Sequence, residues 1–217
     1  MTKYLRYIYY PIGVVLLLLA MVEFWPIAKG IITHISKYQW MIYGMIAYFV
    51  VRRFSFFSRN ELWLQTISHE STHAIVGMMF LRKIHSLQAG QDSGMVQHSG
   101  RNIGGIFISL APYCLPIVTY LILFFRIIGA DSMLYVFDLF IGFTLAFHVV
   151  CFWKQTRPDQ PDIKQYGIIG SYLFIAIALL FNASIILMSI RKGIVDSVIY
   201  LFSSYWDTII KWIEVVF

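Results

Sequence analysis

Long apolar stretches separated by short polar ones form the main pattern of the chain. About 20 apolar residues are enough for a helix to cross the hydrocarbon core of a bilayer. The pattern therefore predicts six transmembrane helices, at about 8–28, 39–51, 62–81, 103–128, 133–153 and 166–190. The second stretch is short, so it crosses only if it is tilted or extended. Pro112 and Pro116 lie in the fourth stretch and predict a break or kink there, because proline removes a helical hydrogen bond.

The pattern changes after Arg191 and Lys192. Polar residues then recur at spacings of three and four on an otherwise apolar segment, which predicts an amphipathic helix over 191–217. We expect this helix to lie at the membrane interface or to pack on the bundle, with a seventh span left open. Glu23, near the end of the first stretch, is expected to be solvated.

The segment between the third and fourth stretches is strand-like. Two short runs at 83–89 and 95–98 flank the turn-rich sequence Gly-Gln-Asp-Ser-Gly, which suits a β-hairpin as well as a plain surface loop. The edge of such a hairpin would bind an extended peptide by strand addition. Met95, Val96 and Gln97 are therefore candidate substrate-binding residues.

Composition agrees with a membrane protein. Of the 217 residues 59% are hydrophobic and only 13% are charged, about half the share in soluble proteins. The fold class is therefore an all-α polytopic bundle without a sizeable soluble domain. The net charge of +6 fits basic loops at a membrane surface, so no nucleic-acid partner is expected. Cys114 and Cys151 fall in apolar stretches and are expected to be free, buried thiols.

The third stretch contains the motif His-Glu-Ser-Thr-His at residues 69–73. Residues four apart share one face of a helix, so His69 and His73 can offer two imidazole nitrogens to one metal ion. Glu70 lies close enough to take a proton from a water at the metal, as in zinc metallopeptidases. Ionisable groups in a membrane span cost roughly 2.5–3.5 kcal/mol each, so three together favour a functional site over packing.

Catalytic zinc usually has a third protein ligand. The two common downstream patterns fail, because the only later glutamate is Glu214 and the histidine position six residues on is Met79. The remaining candidates are Asp162, Asp159, His148, His85 and His98. A loop aspartate reaches the depth of His73 only if its segment folds back into the membrane, whereas His148 is nearer that depth without such folding.

The chain resembles the site-2 protease family of intramembrane zinc metalloproteases in four features. These are the motif followed by Ala74, the hairpin-like loop, the proline-containing stretch and a downstream aspartate. The likeness is to the compact bacterial members without a PDZ domain. In that family the aspartate of an N-P-x-D-G-like segment completes the zinc site. The resemblance implies Asp162 as the third ligand, with Asp159 and His148 as alternatives. No glycine follows Asp162, and His148 stands where an asparagine is expected, which would make it a substrate-positioning residue.

The resemblance implies a division into N-terminal helices (1–58), a metalloprotease core (59–190) and the amphipathic C-terminal helix. It implies a Zn²⁺-dependent endopeptidase of the bacterial inner (plasma) membrane that cleaves transmembrane segments of other proteins. A metal transporter or sensor, or an inactive membrane scaffold, remains as an alternative. The orientation is open, because lysines and arginines divide nine to eight between the two sides of a six-span topology.

Overall fold

Helices make up most of the structure, a computed structural model that describes residues 3–91, 93–100 and 103–216. A two-stranded antiparallel sheet lies between the third and fourth helices. The elements are α1 (Lys3–Thr33), α2 (Gln39–Val51), α3 (Ser55–Met79), β1 (Lys83–Ala89), β2 (Gly94–Ser99), α4 (Gly105–Cys114), α5 (Ile117–Ile128), α6 (Leu134–Gln155), α7 (Pro161–Tyr166), α8 (Ile168–Lys192) and α9 (Ile194–Val216).

Three helical segments of the described chain are long and apolar enough to cross a membrane, at Tyr9–Thr33, Asp131–Gln155 and Ile168–Lys192. The bent pair α4 and α5 makes a fourth if it is counted as one span. The six predicted spans are therefore not confirmed. The 13 residues of α2 extend only about 20 Å, and α3, which carries the His-Glu-x-x-His motif, is not among the candidate spans.

The predicted break in the fourth apolar stretch is confirmed. The axes of α4 and α5 meet at 82°, with Pro112 inside α4 and Pro116 immediately before α5. A break leaves backbone carbonyls without helical partners, and these need other donors in an apolar setting. The side chain of Asn182 supplies one, since its Nδ2 donates to the Cys114 carbonyl at 3.2 Å.

The β-hairpin is confirmed as well. Strand β1 pairs antiparallel with β2, from Lys83 opposite Ser99 to Ala89 opposite Gly94, with an irregularity between Ile84 and Ser86. Both strands pack against α3. The hairpin therefore lies directly beside the helix that carries the His-Glu-x-x-His motif.

Helix α9 packs along α8 and α1, as one of the two expected arrangements. The expectation that Glu23 is solvated was wrong. Glu23 on α1 is buried, and its two carboxylate oxygens accept hydrogen bonds from the hydroxyls of Ser204 and Thr208 on α9. Two hydroxyl groups of α9 thus pair with a buried carboxylate, which without partners in an apolar bundle would cost several kcal/mol.

Two ends of the bundle can be distinguished from contacts between the helices. At the upper end, the start of α1 lies beside the start of α8, where Gly13 contacts Leu173. The Tyr172 hydroxyl there donates to the carbonyl of Thr156, just after α6. At the lower end, Arg126 of α5 ion-pairs with Asp138 near the start of α6 at 2.8 Å and donates to the carbonyl of Ile190 near the end of α8.

Helices α2 and α6 cross closely enough to require glycine on both. A Cβ atom on Gly142 would overlap the carbonyl oxygen of Met41, and one on Gly44 would overlap that of Leu139. Both obstacles are backbone atoms, which a side-chain rotation cannot move aside. The two helices would therefore have to separate if either glycine gained a side chain.

We expect Gly142→Ala to lower the free energy of unfolding by roughly 1–3 kcal/mol or more, because the methyl group forces α2 away from α6. Thermal unfolding in detergent measures the change. Gly170→Ala on α8 is the matched control, since its nearest neighbour, Tyr10 Cε1, would lie at an ordinary 3.7 Å. Equal stability of the two variants would contradict the close crossing.

Candidate metal centre

Three potential ligand atoms converge where α3 meets α7. The Nε2 atoms of His69 and His73, one helical turn apart on α3, are 3.1 Å from each other. Oδ2 of Asp162 lies 3.4 Å from Nε2 of His73 and 3.8 Å from Nε2 of His69. Among the residues that the structure describes, these three form the one group of His, Cys, Asp or Glu side chains arranged to hold a metal ion.

The spacing of this group fits a zinc ion. Zinc binds imidazole nitrogen and carboxylate oxygen at about 2.0–2.2 Å in tetrahedral geometry, which separates neighbouring ligand atoms by roughly 3.3–3.5 Å. Of the three observed separations, 3.4 Å falls in that range, 3.1 Å is slightly shorter and 3.8 Å is slightly longer. Two imidazoles and one carboxylate are also a ligand set typical of catalytic zinc, which keeps a fourth position open.

Both imidazoles are oriented by hydrogen bonds at the nitrogen that faces away from the group. Nδ1 of His73 donates to the backbone carbonyl of Ile108 on α4 at 2.8 Å, because a carbonyl can only accept. Nδ1 of His69 lies 3.2 Å from Oε1 of Gln155, the last residue of α6. In their neutral forms both rings therefore direct the Nε2 lone pair towards Asp162, as metal binding requires.

The Asp162 carboxylate is held in its ionised form. Burial by itself raises its pKa, but when the Nε2 atoms of His69 and His73 are protonated they donate hydrogen bonds to the carboxylate, which outweigh burial and hold the pKa well below the usual range of an aspartate. The buried Tyr113 of α4 adds a further contact, with its hydroxyl 3.3 Å from Oδ2 of Asp162. Its ring also packs edge-to-face on His69. An ionised carboxylate is the form that binds metal.

The other candidates for the third ligand lie elsewhere. Asp159 is exposed in the loop before α7. His148 lies within α6, and its buried Nε2 has no hydrogen-bond partner among the described residues. On the hairpin, His85 contacts the Ser99 hydroxyl at 2.7 Å, and His98 contacts Arg82. The structure thus brings Asp162, and none of these four, to His69 and His73.

A loop aspartate would be too far from His73 if the motif lay in the middle of a span. His69 instead contacts Gln155, so the motif lies level with the C-terminal end of α6. From there the short connection to α7 brings Asp162 to the histidines directly. No segment has to fold back to the middle of the bundle.

A cavity of about 600 Å³ opens beside the three ligand atoms, and the hairpin forms part of its wall. Alternate residues of β2, Gly94, Val96 and His98, line it, as expected for one face of a strand. Of the three predicted substrate-binding residues of the hairpin only Val96 lines the cavity, because Met95 and Gln97 fall on the other face of the strand. His148 does not line it either.

Glu70 also lines this cavity and is positioned by the hairpin. A Cβ atom on Gly94 would lie 2.5 Å from Cγ and 2.7 Å from Oε1 of Glu70. The backbone of β2 therefore rests against the glutamate side chain and limits where its carboxylate can go. Glycine is needed at position 94 because any larger residue would displace that carboxylate.

Sequence reasoning missed the residues that orient the ligands. Tyr113 had a signal, because it lies between the two prolines of an apolar stretch, where the chain was expected to be irregular. Gln155 is an amide at the end of an apolar stretch, a position where polar residues are ordinary. The Ile108 carbonyl has no signal in the sequence at all.

Comparison of the chain with models of protein families, with curated proteins and with solved structures finds no match. The resemblance to the site-2 proteases therefore stays an expectation from the motif and its surroundings.

We expect the purified protein to bind about one zinc ion per chain, as a single three-ligand site would, and Asp162→Ala to lose most of it. Asp159→Ala, three residues earlier in the loop before α7, is the matched control, and His148→Ala tests the alternative ligand. Both should keep zinc, because neither side chain reaches the two histidines. Metal analysis after reconstitution, on samples of equal thermal stability, measures this. Loss of zinc in His148→Ala with retention in Asp162→Ala would contradict the site.

Proposed function

We propose that the protein is a zinc-dependent intramembrane endopeptidase. The observation that carries this proposal is the convergence of His69, His73 and Asp162, with Glu70 lining the same cavity. In this proposal the two imidazoles and the aspartate hold Zn²⁺. The three apolar helices, with the bent pair as a fourth span, embed the protein in a membrane.

The chemistry divides between the metal and the chain. Zinc, when bound, supplies a Lewis acid that polarises a carbonyl and lowers the pKa of water. Glu70 is the general base: it accepts a proton from the attacking water and delivers it to the amine nitrogen that leaves as the peptide C–N bond breaks. Gln155 and the Ile108 carbonyl keep the two imidazoles in a fixed orientation. Gly94 lets the backbone of β2 lie against Glu70 without displacing its carboxylate.

The substrate in this proposal is a membrane-embedded or membrane-adjacent segment of another protein. Peptide bonds in a helix are shielded by the helix itself, so the segment must be extended where it is cut. The cavity wall formed by β2 offers a strand beside the ligand atoms, and strand addition would hold a peptide in that extended form. The apolar surface of the helices suits a substrate that arrives through the bilayer.

Glu70→Gln is expected to retain zinc and lose cleavage, because the amide leaves the ligands in place but cannot accept the proton. Zinc content and cleavage of a membrane-protein substrate, measured on the same preparation, test this. Glu214→Gln, on the tail helix, is the control that removes a carboxylate elsewhere. A metal transporter would still bind and carry metal after Glu70→Gln, and an inactive scaffold would not respond to it, so either result would overturn the peptidase.

The distribution of positive charge favours one orientation. Since α3 is not a candidate span, the lysines and arginines around it join those at the upper end. Of the 17 lysines and arginines, ten then lie at or near the upper end and five at the lower end. The other two are Arg101, which is outside the described residues, and Lys211, which lies within α9. The ten are Lys3, Arg6, Arg52, Arg53, Arg59, Arg82, Lys83, Lys154, Arg157 and Lys164, and the five are Lys29, Lys37, Arg126, Arg191 and Lys192. Cytoplasmic loops are enriched in positive charge, so the proposed active site faces the cytoplasm.

Single cysteines test this orientation. Ser36→Cys, in the exposed turn between α1 and α2, should react with a membrane-impermeant thiol reagent in intact cells. Pro158→Cys, in the exposed loop between α6 and α7, should react only after permeabilisation. The unmodified chain is the control, because Cys114 and Cys151 are buried. The reverse pattern of labelling would place the site on the outer side.

A further inference from the structure

Glu61 is a buried carboxylate that joins three helical segments around a single oxygen atom. It lies on α3 two turns before His69, with 7% of its surface exposed. Its Oε1 is 2.9 Å from Nε of Arg52, at the end of α2, and 3.3 Å from Nζ of Lys154, near the end of α6. Nε2 of Gln65, one turn along α3, donates to the same atom at 3.0 Å.

Stability alone is a weak explanation for such a cluster. The cost of removing charges from water offsets most of the attraction between them, so apolar residues of similar size often serve as well. A better attested use of a buried ionic group is to fix one arrangement of the elements it joins. Here the elements joined are the metal-binding helix and the end of α6.

Glu61 and the proposed metal ligand His69 contact consecutive residues of α6. Lys154, which pairs with Glu61, precedes Gln155, whose Oε1 lies 3.2 Å from Nδ1 of His69. Glu61 of α3 therefore pairs with α6 one residue before Gln155, the residue of α6 that orients the His69 imidazole. His73 depends on a different element, because its Nδ1 donates to the Ile108 carbonyl of α4.

We propose that Glu61 is a positioning residue for the metal centre, acting through Lys154 and Gln155 on the His69 imidazole. The proposal rests on the metal-binding role of His69 proposed above. Loss of the Glu61 carboxylate frees the end of α6, Gln155 no longer meets His69 at hydrogen-bond distance, and the ring loses its fixed orientation. The affinity for zinc falls as a result, because groups that orient a ligand contribute to metal binding.

The chain offers a matched control at the other end of α6. Asp138 is also buried, with 8% of its surface exposed, and pairs with Arg126 at 2.8 Å. Asp138→Asn and Glu61→Gln therefore each break a buried ion pair that involves α6. Only the Glu61 pair lies next to Gln155. A general loss of stability would therefore appear in both variants, whereas a loss of zinc affinity through Gln155 would appear only in Glu61→Gln.

The experiment is a competition between the protein and a chelator of known zinc affinity, with thermal unfolding recorded on the same samples. We expect Glu61→Gln to weaken zinc binding on the order of tenfold, the low end of the range for groups that orient a metal ligand. Asp138→Asn should leave zinc affinity nearly unchanged even if its unfolding temperature falls as much. Lys154→Met, which removes the link to α6 but leaves Arg52 on Glu61, should weaken binding in the same direction as Glu61→Gln.

A double-mutant cycle tests the route through Gln155. If Glu61 acts through that amide, Gln155→Ala combined with Glu61→Gln should bind zinc no more weakly than Gln155→Ala alone. Additive losses, or equal losses in Glu61→Gln and Asp138→Asn, would overturn the positioning role while zinc binding by the unmodified chain still supports the proposed function. A lack of zinc in the unmodified chain would overturn both proposals.

Discussion

Two imidazole nitrogens and a carboxylate oxygen share a volume a few ångströms across, and this crowding constrains the helices around it. Like lone pairs at such distances repel unless a cation lies among them. The backbone of α3 sets the spacing of the histidines, α4 and α6 fix their rings, and α7 brings the aspartate. The 82° break between α4 and α5 belongs to the same arrangement, because α4 must run beside α3 for the Ile108 carbonyl to reach His73.

Three buried carboxylates outside this group, those of Glu23, Glu61 and Asp138, each have polar partners on another helix. Glu23 takes two hydroxyl groups from α9, Asp138 takes Arg126, and Glu61 takes two cations and an amide. Each pair joins helices that are far apart in sequence or differ in direction. The pairs therefore select one packing of apolar helices whose surfaces would otherwise fit together in several ways.

The sequence predicted features that depend on local chemistry and missed those that depend on distant partners. The break at Pro112 and Pro116, the hairpin and the bounds of α8 follow from proline geometry, turn residues and apolar length. The burial of Glu23 could not be predicted, because its partners lie about 180 residues later in the chain. Hydrophobicity likewise could not show that α3 rises past the end of α6, since a run of apolar residues does not report direction or depth.

The contrast between His69 and His148 shows why composition alone does not locate the site. Both are histidines in largely apolar helices, and His148 has the more enclosed nitrogen. A buried imidazole nitrogen without a hydrogen-bond partner costs free energy whatever its role, so enclosure by itself does not indicate a metal ligand. His69 differs because one nitrogen is oriented by Gln155 while the other meets a carboxylate. With its Nδ1 hydrogen-bonded to Gln155, the neutral ring has its lone pair on Nε2, which faces Asp162. The cavity that Glu70 lines lies beside this nitrogen.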